Sequence, residues 1–314
     1  MIDWKIHHKT ETVSTNVDAR AGVHGDVFTA DYQTAGRGRL DHKWESPRGK
    51  NIMMSVVLDV AGLDPEHVAT LPLVVGLAVA RGVEEILVAT RQECRVPVGG
   101  EEILVATRQE CRVPVGGEAL LPRRKVSLKW PNDVLIGGRK VAGILCERKD
   151  DCVIAGIGVN VKRQRFSPEI ADRAIAVEEA FCDEAGVPRP RWRAQEVGAR
   201  HSCLAASVSD AGRNAQDSLR AAEPPRPLSV ETVRDVVLRA LSAAYELWRE
   251  GGFAAVYPAI REIDFLRGQS LAVRQTDDDA EPVRGVCGGI NADGSLDVGG
   301  VKIYAGEAHV EAFR

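Results

Sequence analysis

Between residues 125 and 161 the chain carries four short runs, 125–130, 133–136, 140–147 and 152–161, separated by connections too short to hold a helix. Pro131-Asn132-Asp133 and Gly137-Gly138 stand in two of those connections, and both are turn formers. Proline presets φ, and glycine takes the left-handed region that tight reversals need. Parallel neighbours need a crossover of about a dozen residues or more, which these connections cannot supply. The simplest reading is an antiparallel meander, and the rest of the chain has to pack on it.

The runs 27–32 (VFTADY) and 51–59 (NIMMSVVLD) extend the strand pattern. The segment 64–88 is mostly helical, with Asp64 or Pro65 near its start, because its apolar residues recur at helical spacing. A second helix is expected over 229–250. Val230, Val233, Val237, Leu238, Leu241, Ala244, Tyr245 and Trp248 mark its apolar face, and Gly251-Gly252 ends it. From about residue 266 the pattern changes to short alternating runs (LAVRQ, PVRGVCGGI, SLDVGG, VKIYAG, HVEAF) around Asp- and Gly-rich turns, which predicts a small β-barrel. With 314 residues and 44% hydrophobic content the chain can bury two unequal cores. The fold class is α+β: a mixed sheet covered by helices over 1–262, then a small C-terminal β-barrel over 263–314.

Residues 84–100 (EEILVATRQECRVPVGG) recur without a change as residues 101–117. Two units cannot make a repeat architecture, which needs at least three. One copy is expected to finish the helix and the other to bulge out as a surface excursion, since loops absorb insertions at small entropic cost. Residues 183–227 are rich in Ala, Arg, Ser and Pro with weak periodicity and read as a mobile insertion.

A net charge of −4 gives no global basic field to draw the surface onto nucleic acid or acidic lipid. The cysteines at 94, 111, 146, 152, 182, 203 and 287 form no CxxC pair and have no histidine at zinc spacing, so they read as reduced packing residues. No apolar run approaches the ~20 residues of a membrane span, and the N-terminus lacks a basic segment followed by an apolar one. A cytoplasmic protein is expected.

Four segments carry chemistry. Gln33-Thr34-Ala35-Gly36-Arg37-Gly38-Arg39 follows a strand and leads to Trp44. Its glycines let backbone approach a ligand and its arginines suit carboxylate and phosphate oxygens, yet a solvated basic loop would look the same. Lys129-Trp130-Pro131-Asn132-Asp133 leads into Gly137-Gly138-Arg139-Lys140-Val141-Ala142-Gly143-Ile144-Leu145. This is either a plain reversal or two cations flanking one carboxylate, an apparatus for phosphate chemistry. Gly156 and Gly158 share one face of a strand that ends at Asn160, marking a bulge, a closely packed helix or a ligand lying flat. Ser14-Thr15-Asn16 alone is an ordinary helix N-cap.

In this order the four segments resemble the biotin–protein ligase family, over roughly residues 9–161 plus the C-terminal domain. The resemblance implies a class II synthetase-like catalytic domain, an SH3-like C-terminal barrel, and ATP, biotin and Mg2+ as substrates and metal. It implies that Ser14, Thr15, Asn16 and Gln33 bind biotin's ureido ring, and that Gly36, Arg37, Arg39 and Lys140 meet its carboxylate and the α-phosphate. Gly143, Gly156 and Gly158 would floor the site. Arg39, Trp44, Lys129, Asn132, Asp133 and Asn160 would serve the nucleotide, and Arg37, Arg39, Lys140 and Asp133 the chemistry. The metal ligands stay unassigned. The expected partner is the biotin carboxyl carrier domain of a biotin-dependent carboxylase, with the ligase a monomer or homodimer.

Ser14 lies too near the start for an N-terminal helix-turn-helix, so no DNA partner is expected. His42 stands where some members of the family carry arginine. The competing readings are a lipoate or octanoate ligase, which the Lys-Trp-Pro-Asn-Asp sequence disfavours, and a non-catalytic biotin-binding module.

Overall fold

The computed structural model describes residues 1–39, 43–44, 46–93, 95–98, 101–104, 125–182, 228–275 and 281–310. His42, residues 105–117 of the second repeat copy and the expected insertion at 183–227 lie outside the described residues. The order of elements is β1 (Lys5–Lys9), α1 (Thr15–Asp18), β2 (Asp26–Ala30), β3 (Asn51–Asp59), α2 (Pro65–Ala69), α3 (Leu71–Glu93), β4 (Arg95–Val98), β5 (Glu101–Leu104) and β6 (Val126–Lys129). It continues with β7 (Asp133–Ile136), β8 (Arg139–Lys149), β9 (Cys152–Asn160), α4 (Val177–Cys182), α5 (Val230–Glu262), β10 (Ser270–Arg274), β11 (Val283–Ile290), β12 (Leu296–Val298), β13 (Val301–Ile303) and β14 (Glu307–Val310).

Seven strands make one sheet in the order β1-β2-β3-β9-β8-β7-β6. β1 and β2 run parallel and every other neighbouring pair is antiparallel, so the sheet is mixed. The expected meander is β6 to β9. Two of its three tight connections use the residues singled out for them, with Gly137 and Gly138 both at positive φ, and Asp150-Asp151 makes the third.

Register divides the sheet into two unlike faces, because residues directly opposite each other point to the same side. On one side Ile52, Met54 and Val56 of β3, Ala155, Ile157 and Val159 of β9, and Ala142 and Ile144 of β8 are all buried. They belong to one large core with the buried faces of α3 and α5. Inside this core Trp248 Nε1 donates to Thr70 Oγ1 at 2.9 Å. The other side carries Ser55, Gly156, Gly158 and Gly143 in register, and there Asn16 of α1 rests against Gly156 and Trp44 against Gly158.

α5 begins where expected, with Ser229 Oγ accepting from Thr232 N–H at 2.9 Å. Gly252 leaves helical geometry at φ 70°, ψ −176°, as the sequence indicates. The chain then turns helical again to Glu262, because Phe253, Val256 and Ile260 offer a second apolar stripe that is buried. α3 ends inside the first copy of the repeat, as expected. The first residues of the second copy form β5, which pairs antiparallel with β4 of the first copy in a separate two-stranded sheet.

β10 to β14 make a five-stranded antiparallel sheet in the order β13-β12-β11-β10-β14, with a bulge between Cys287 and Gly289. It is tied to the large sheet at the meander: Leu128 N–H donates to Ile263 O at 2.8 Å, and Phe265 N–H to Leu128 O at 2.9 Å. Trp130 Nε1 donates to Gly294 O at 3.1 Å. No helix among the described residues is long and apolar enough to cross a membrane.

Candidate active site

The open face of the sheet is a floor of backbone. Gly143 and Gly158 are register partners on β8 and β9, and Gly156 stands two residues back, opposite Ser55 and Leu145. A Cβ on Gly156 would lie 2.3 Å from Asn16 Oδ1, and one on Gly158 would lie 2.6 Å from Trp44 Cε2. Any side chain there would expel what now rests on the strand. Positions i and i+2 of a strand are about 7 Å apart on one face, so this floor links two chemically different ends.

At the Gly156 end sit six buried or half-buried polar side chains, those of Ser14, Thr15, Asn16, Gln33, Ser55 and Glu147. Thr15 N–H donates to Gln33 Oε1 at 2.8 Å, and Thr15 Oγ1 lies 3.1 Å from the same oxygen. Ser55 Oγ is 2.7 Å from Thr15 Oγ1 and 2.6 Å from Asn16 Oδ1. Asn16 Nδ2 donates to Glu147 Oε2 at 3.2 Å and lies 3.5 Å from Leu145 O. Ser14 occupies the N-cap position of α1 but its side chain makes no capping bond, leaving the hydroxyl uncommitted to the helix. So many polar groups buried together are costly unless they are paired with one another or with a ligand.

At the Gly158 end the charged residues converge. Lys140 Nζ is 2.7 Å from Asp133 Oδ1 and stands 5.9 Å from the centre of the Trp44 ring. Asp133 is also the register partner of both Lys129 and Gly143. Burial pushes the Lys129 ammonium below its usual pKa, Asp133 pulls it back up, and Lys140 adds to the lowering. Arg39, half-buried, is likewise pushed down by desolvation against the fields of Glu307 and Asp133, and its Nη1 reaches Gly306 O at 3.4 Å. Two carboxylates, Asp133 and Glu307, among three cations still leave net positive charge for an anion to neutralise.

The arginine loop is held over this floor. Trp44 N–H donates to Gly36 O at 3.0 Å, and Arg37 bridges Lys43. A Cβ on Gly36 would come within 2.6 Å of Trp44 O, so only glycine permits the closure. Trp44 Nε1 is buried with no partner among the described residues, an orphan donor that a ligand could satisfy. Beyond Trp44 a cavity of about 800 Å³ opens between Gln33, Gly36, Arg37 and Lys43 on one wall and Gln164, Arg165 and Phe166 on the other.

The structure therefore brings together Thr15, Asn16, Gln33 and Gly156 at one end, and Arg39, Trp44, Lys129, Asp133, Lys140, Gly143 and Gly158 at the other. Arg37 is exposed at the cavity wall. Asn132 and Asn160 are committed elsewhere. Asn132 Nδ2 donates to Ile144 O at 2.8 Å, closing the turn onto β8. Asn160 Oδ1 accepts from Asn51 and Gln164, at 3.3 and 3.2 Å, which anchors the far cavity wall to the end of β9.

Ser55, Glu147 and the 164–170 wall were not among the candidates from sequence. Ser55 could have been found, since one hydroxyl in the apolar run NIMMSVVLD is an anomaly. Glu147 shares a face with Gly143 and Leu145 once the strand is drawn. The wall has no sequence signal.

Residues 7–162 match the model of the Biotin/lipoate A/B protein ligase family. The chain is 31% identical over 210 residues to a biotin–[acetyl-CoA-carboxylase] ligase of Paracoccus denitrificans, covering 59% of this chain and 71% of that one. It is 32% identical over 168 residues to the ligase of that name from Mycobacterium tuberculosis, and 31% over 173 residues to the bifunctional ligase/repressor of Bacillus subtilis. Each of these two alignments covers 52% of this chain, and the chain spans only 50% and 42% of those relatives. Among solved structures, a biotin protein ligase from Aquifex aeolicus in complex with biotin and ATP superposes with a TM-score of 0.65 at 22% identity, over 98% of both chains, a likeness of fold.

Proposed function

The chain belongs to the biotin–protein ligases of the Biotin/lipoate A/B protein ligase family, and on that premise we propose that it joins biotin to ATP and passes it to a carrier lysine. The observation that carries this reading is the two-ended floor. A polar head lies at Gly156 and a cationic end at Gly158, with flat backbone between, which suits a ring bearing a urea and a carboxylate-tipped chain. Octanoate or lipoate would leave the buried Thr15, Asn16 and Gln33 groups facing hydrocarbon.

In this reading Ser14, Thr15, Asn16 and Gln33 hold the ureido ring, and Arg37, Arg39 and Lys140 hold biotin's carboxylate against the α-phosphate. A carboxylate oxygen attacks phosphorus, the bond to pyrophosphate breaks, and cations offset the gathered negative charge. Trp44, Lys129 and Asp133 serve the nucleotide, with the neighbouring cavity to receive it, while Asn132 and Asn160 act only by holding the turn and the cavity wall that frame it. The neutral amine of the acceptor lysine then attacks the mixed anhydride, AMP leaves, and Asp133 takes the proton. Among the described residues no cluster of three side chains could chelate a metal, so magnesium would be held mainly through phosphate oxygens and water. The carrier is assigned as a biotin carboxyl carrier domain of a carboxylase such as acetyl-CoA carboxylase, met in the cytoplasm. Residues 1–262 form the catalytic domain and 263–314 an SH3-like barrel.

Incubation with biotin, ATP and magnesium should release pyrophosphate without a carrier, and addition of a biotin carrier domain should yield a biotinylated lysine. Preference for octanoate or lipoate would refute the assignment, and biotin binding without pyrophosphate release would make the protein a sensor.

Arg39→Gly should loosen the adenylate more than biotin, because the arginine faces the phosphate end. Losing charge-assisted bonds of about 1.5–3 kcal/mol each should speed adenylate release tenfold or more, read by chasing labelled adenylate from the enzyme. An unchanged off-rate would remove Arg39 from that role.

A further inference from the structure

At the Gly158 end the cations have the carboxylates of Asp133 and Glu307 among them. Around the neighbouring cavity the balance differs. Arg37, Lys43 and Arg165 line it, and among the described residues no carboxylate does. Arg37 and Lys43 are partners in an isolated antiparallel bridge, which sends both side chains to one side with their Cβ atoms about 5 Å apart. Like charges placed directly opposite each other destabilise such a pairing, so the arrangement calls for an anion to offset them.

Arg165 reaches the cavity from the opposite wall, and that wall is anchored. Gln164 Nε2 donates to Asn160 Oδ1 and Gln164 Oε1 accepts from Asn51 Nδ2, both at 3.2 Å. One residue earlier the Arg163 N–H donates to Glu178 Oε2 at 2.8 Å, and Lys162 Nζ is 3.3 Å from Glu178 Oε1. The half-buried Phe166 follows on the other side. Arg165 is therefore held between fixed neighbours while remaining exposed at the cavity. Cations from two separate stretches of chain thus face one space of about 800 Å³.

We propose that Lys43 and Arg165 hold the β- and γ-phosphates of ATP and receive the departing pyrophosphate, so that the cavity takes the polyphosphate end of the nucleotide. The proposal rests on the biotin reading above and deepens it. With Arg37 at the α-phosphate, its bridge partner Lys43 stands next along the phosphate chain, and Arg165 faces the pair. As a carboxylate oxygen of biotin bonds to the α-phosphorus, the bond from that phosphorus to the bridging oxygen breaks, and its electron pair leaves with pyrophosphate. Negative charge therefore gathers on the leaving group, where cations already in place stabilise it as it forms. Arginine's planar fork matches phosphate oxygens, and the lysine ammonium acts as a point charge beside it.

The test is calorimetric titration of the full chain, with magnesium present, by pyrophosphate and separately by biotinyl-adenylate, which lacks the β- and γ-phosphates. Lys43→Ala and Arg165→Ala should each weaken pyrophosphate about tenfold and raise the KM for ATP by a similar factor, with the affinity for biotinyl-adenylate unchanged. Both residues are exposed, so the variants should fold. Arg165→Lys should keep most of the affinity. Lys5→Ala, which removes an exposed cation of β1 that does not line the cavity, should change nothing. Unchanged pyrophosphate affinity in either alanine variant would overturn the proposal. So would an equal loss for biotinyl-adenylate, which would put the adenosine end in the cavity, or an equal loss in Lys5→Ala, the mark of bulk charge. An unsubstituted chain that releases no pyrophosphate from biotin and ATP would overturn the biotin reading and this inference with it. Release by that chain with Lys43→Ala and Arg165→Ala both silent would overturn the inference alone.

Discussion

Gly156→Ala is expected to abolish useful biotin affinity while leaving the protein folded. The added methyl would stand 2.3 Å from Asn16 Oδ1 and 3.1 Å from its Cγ, and must drive the amide out of the head of the pocket. Asn16 then loses its bonds to Ser55 and Glu147, and Ser55, fully buried, loses an acceptor. Two such bonds and one stranded polar group amount to about 3 kcal/mol, on the order of a hundredfold in Kd. The large core lies on the opposite face of the sheet, so the protein should stay folded, with a melting temperature lowered by roughly 10 °C because the lost bonds are internal to it. Biotin titration and a thermal melt check both halves. A Kd within threefold of the unsubstituted chain would show that Asn16 is not part of the ligand site.

Asp133→Asn should separate the two chemical steps. The acceptor lysine arrives as an ammonium with an ordinary pKa near 10.4, and only its neutral amine can attack. Biotin's carboxylate is already ionised at neutral pH, so adenylation needs cations and no base. Asp133, at the head of β7 and 2.7 Å from Lys140, is the carboxylate on the meander at the junction. Its neutralisation should slow transfer about a hundredfold, the size of a lost general base, and adenylate formation far less. Single-turnover measurement with pre-formed adenylate and added carrier resolves the two. Equal slowing of both steps would place Asp133 on the nucleotide, where its pairing with Lys140 and field on Lys129 would be its purpose.

The site was legible where chemistry is written in residue type. Glycines 156 and 158 could be singled out in advance because glycine weakens a strand, whereas Gly143 and the roles given to the arginine loop came from the resemblance. The meander was legible because its turns leave no room for another connection. β1 was not: its five residues are all exposed, so KIHHK shows no alternation of burial to read. Nor was the use of Asn132 and Asn160, whose amides are consumed by the turn and by the cavity wall. Hydrogen-bond partners between 12 and 109 residues away in sequence are set by strand register, which a motif does not encode.

The duplicated segment holds one tetrapeptide in two conformations. Glu84, Glu85, Ile86 and Leu87 lie within α3, with Ile86 and Leu87 both in the core, whereas the same four letters at 101–104 form β5. A helix can turn two adjacent apolar residues to one side, while a strand sends adjacent residues to opposite sides. The two copies therefore answer to different selection from the moment of duplication. Drift should first separate them where the constraints differ most, with a β-branched replacement accepted at Leu104 before it is accepted at Leu87. The present identity of the copies is thus a starting point for divergence, and the backbone already foretells its direction.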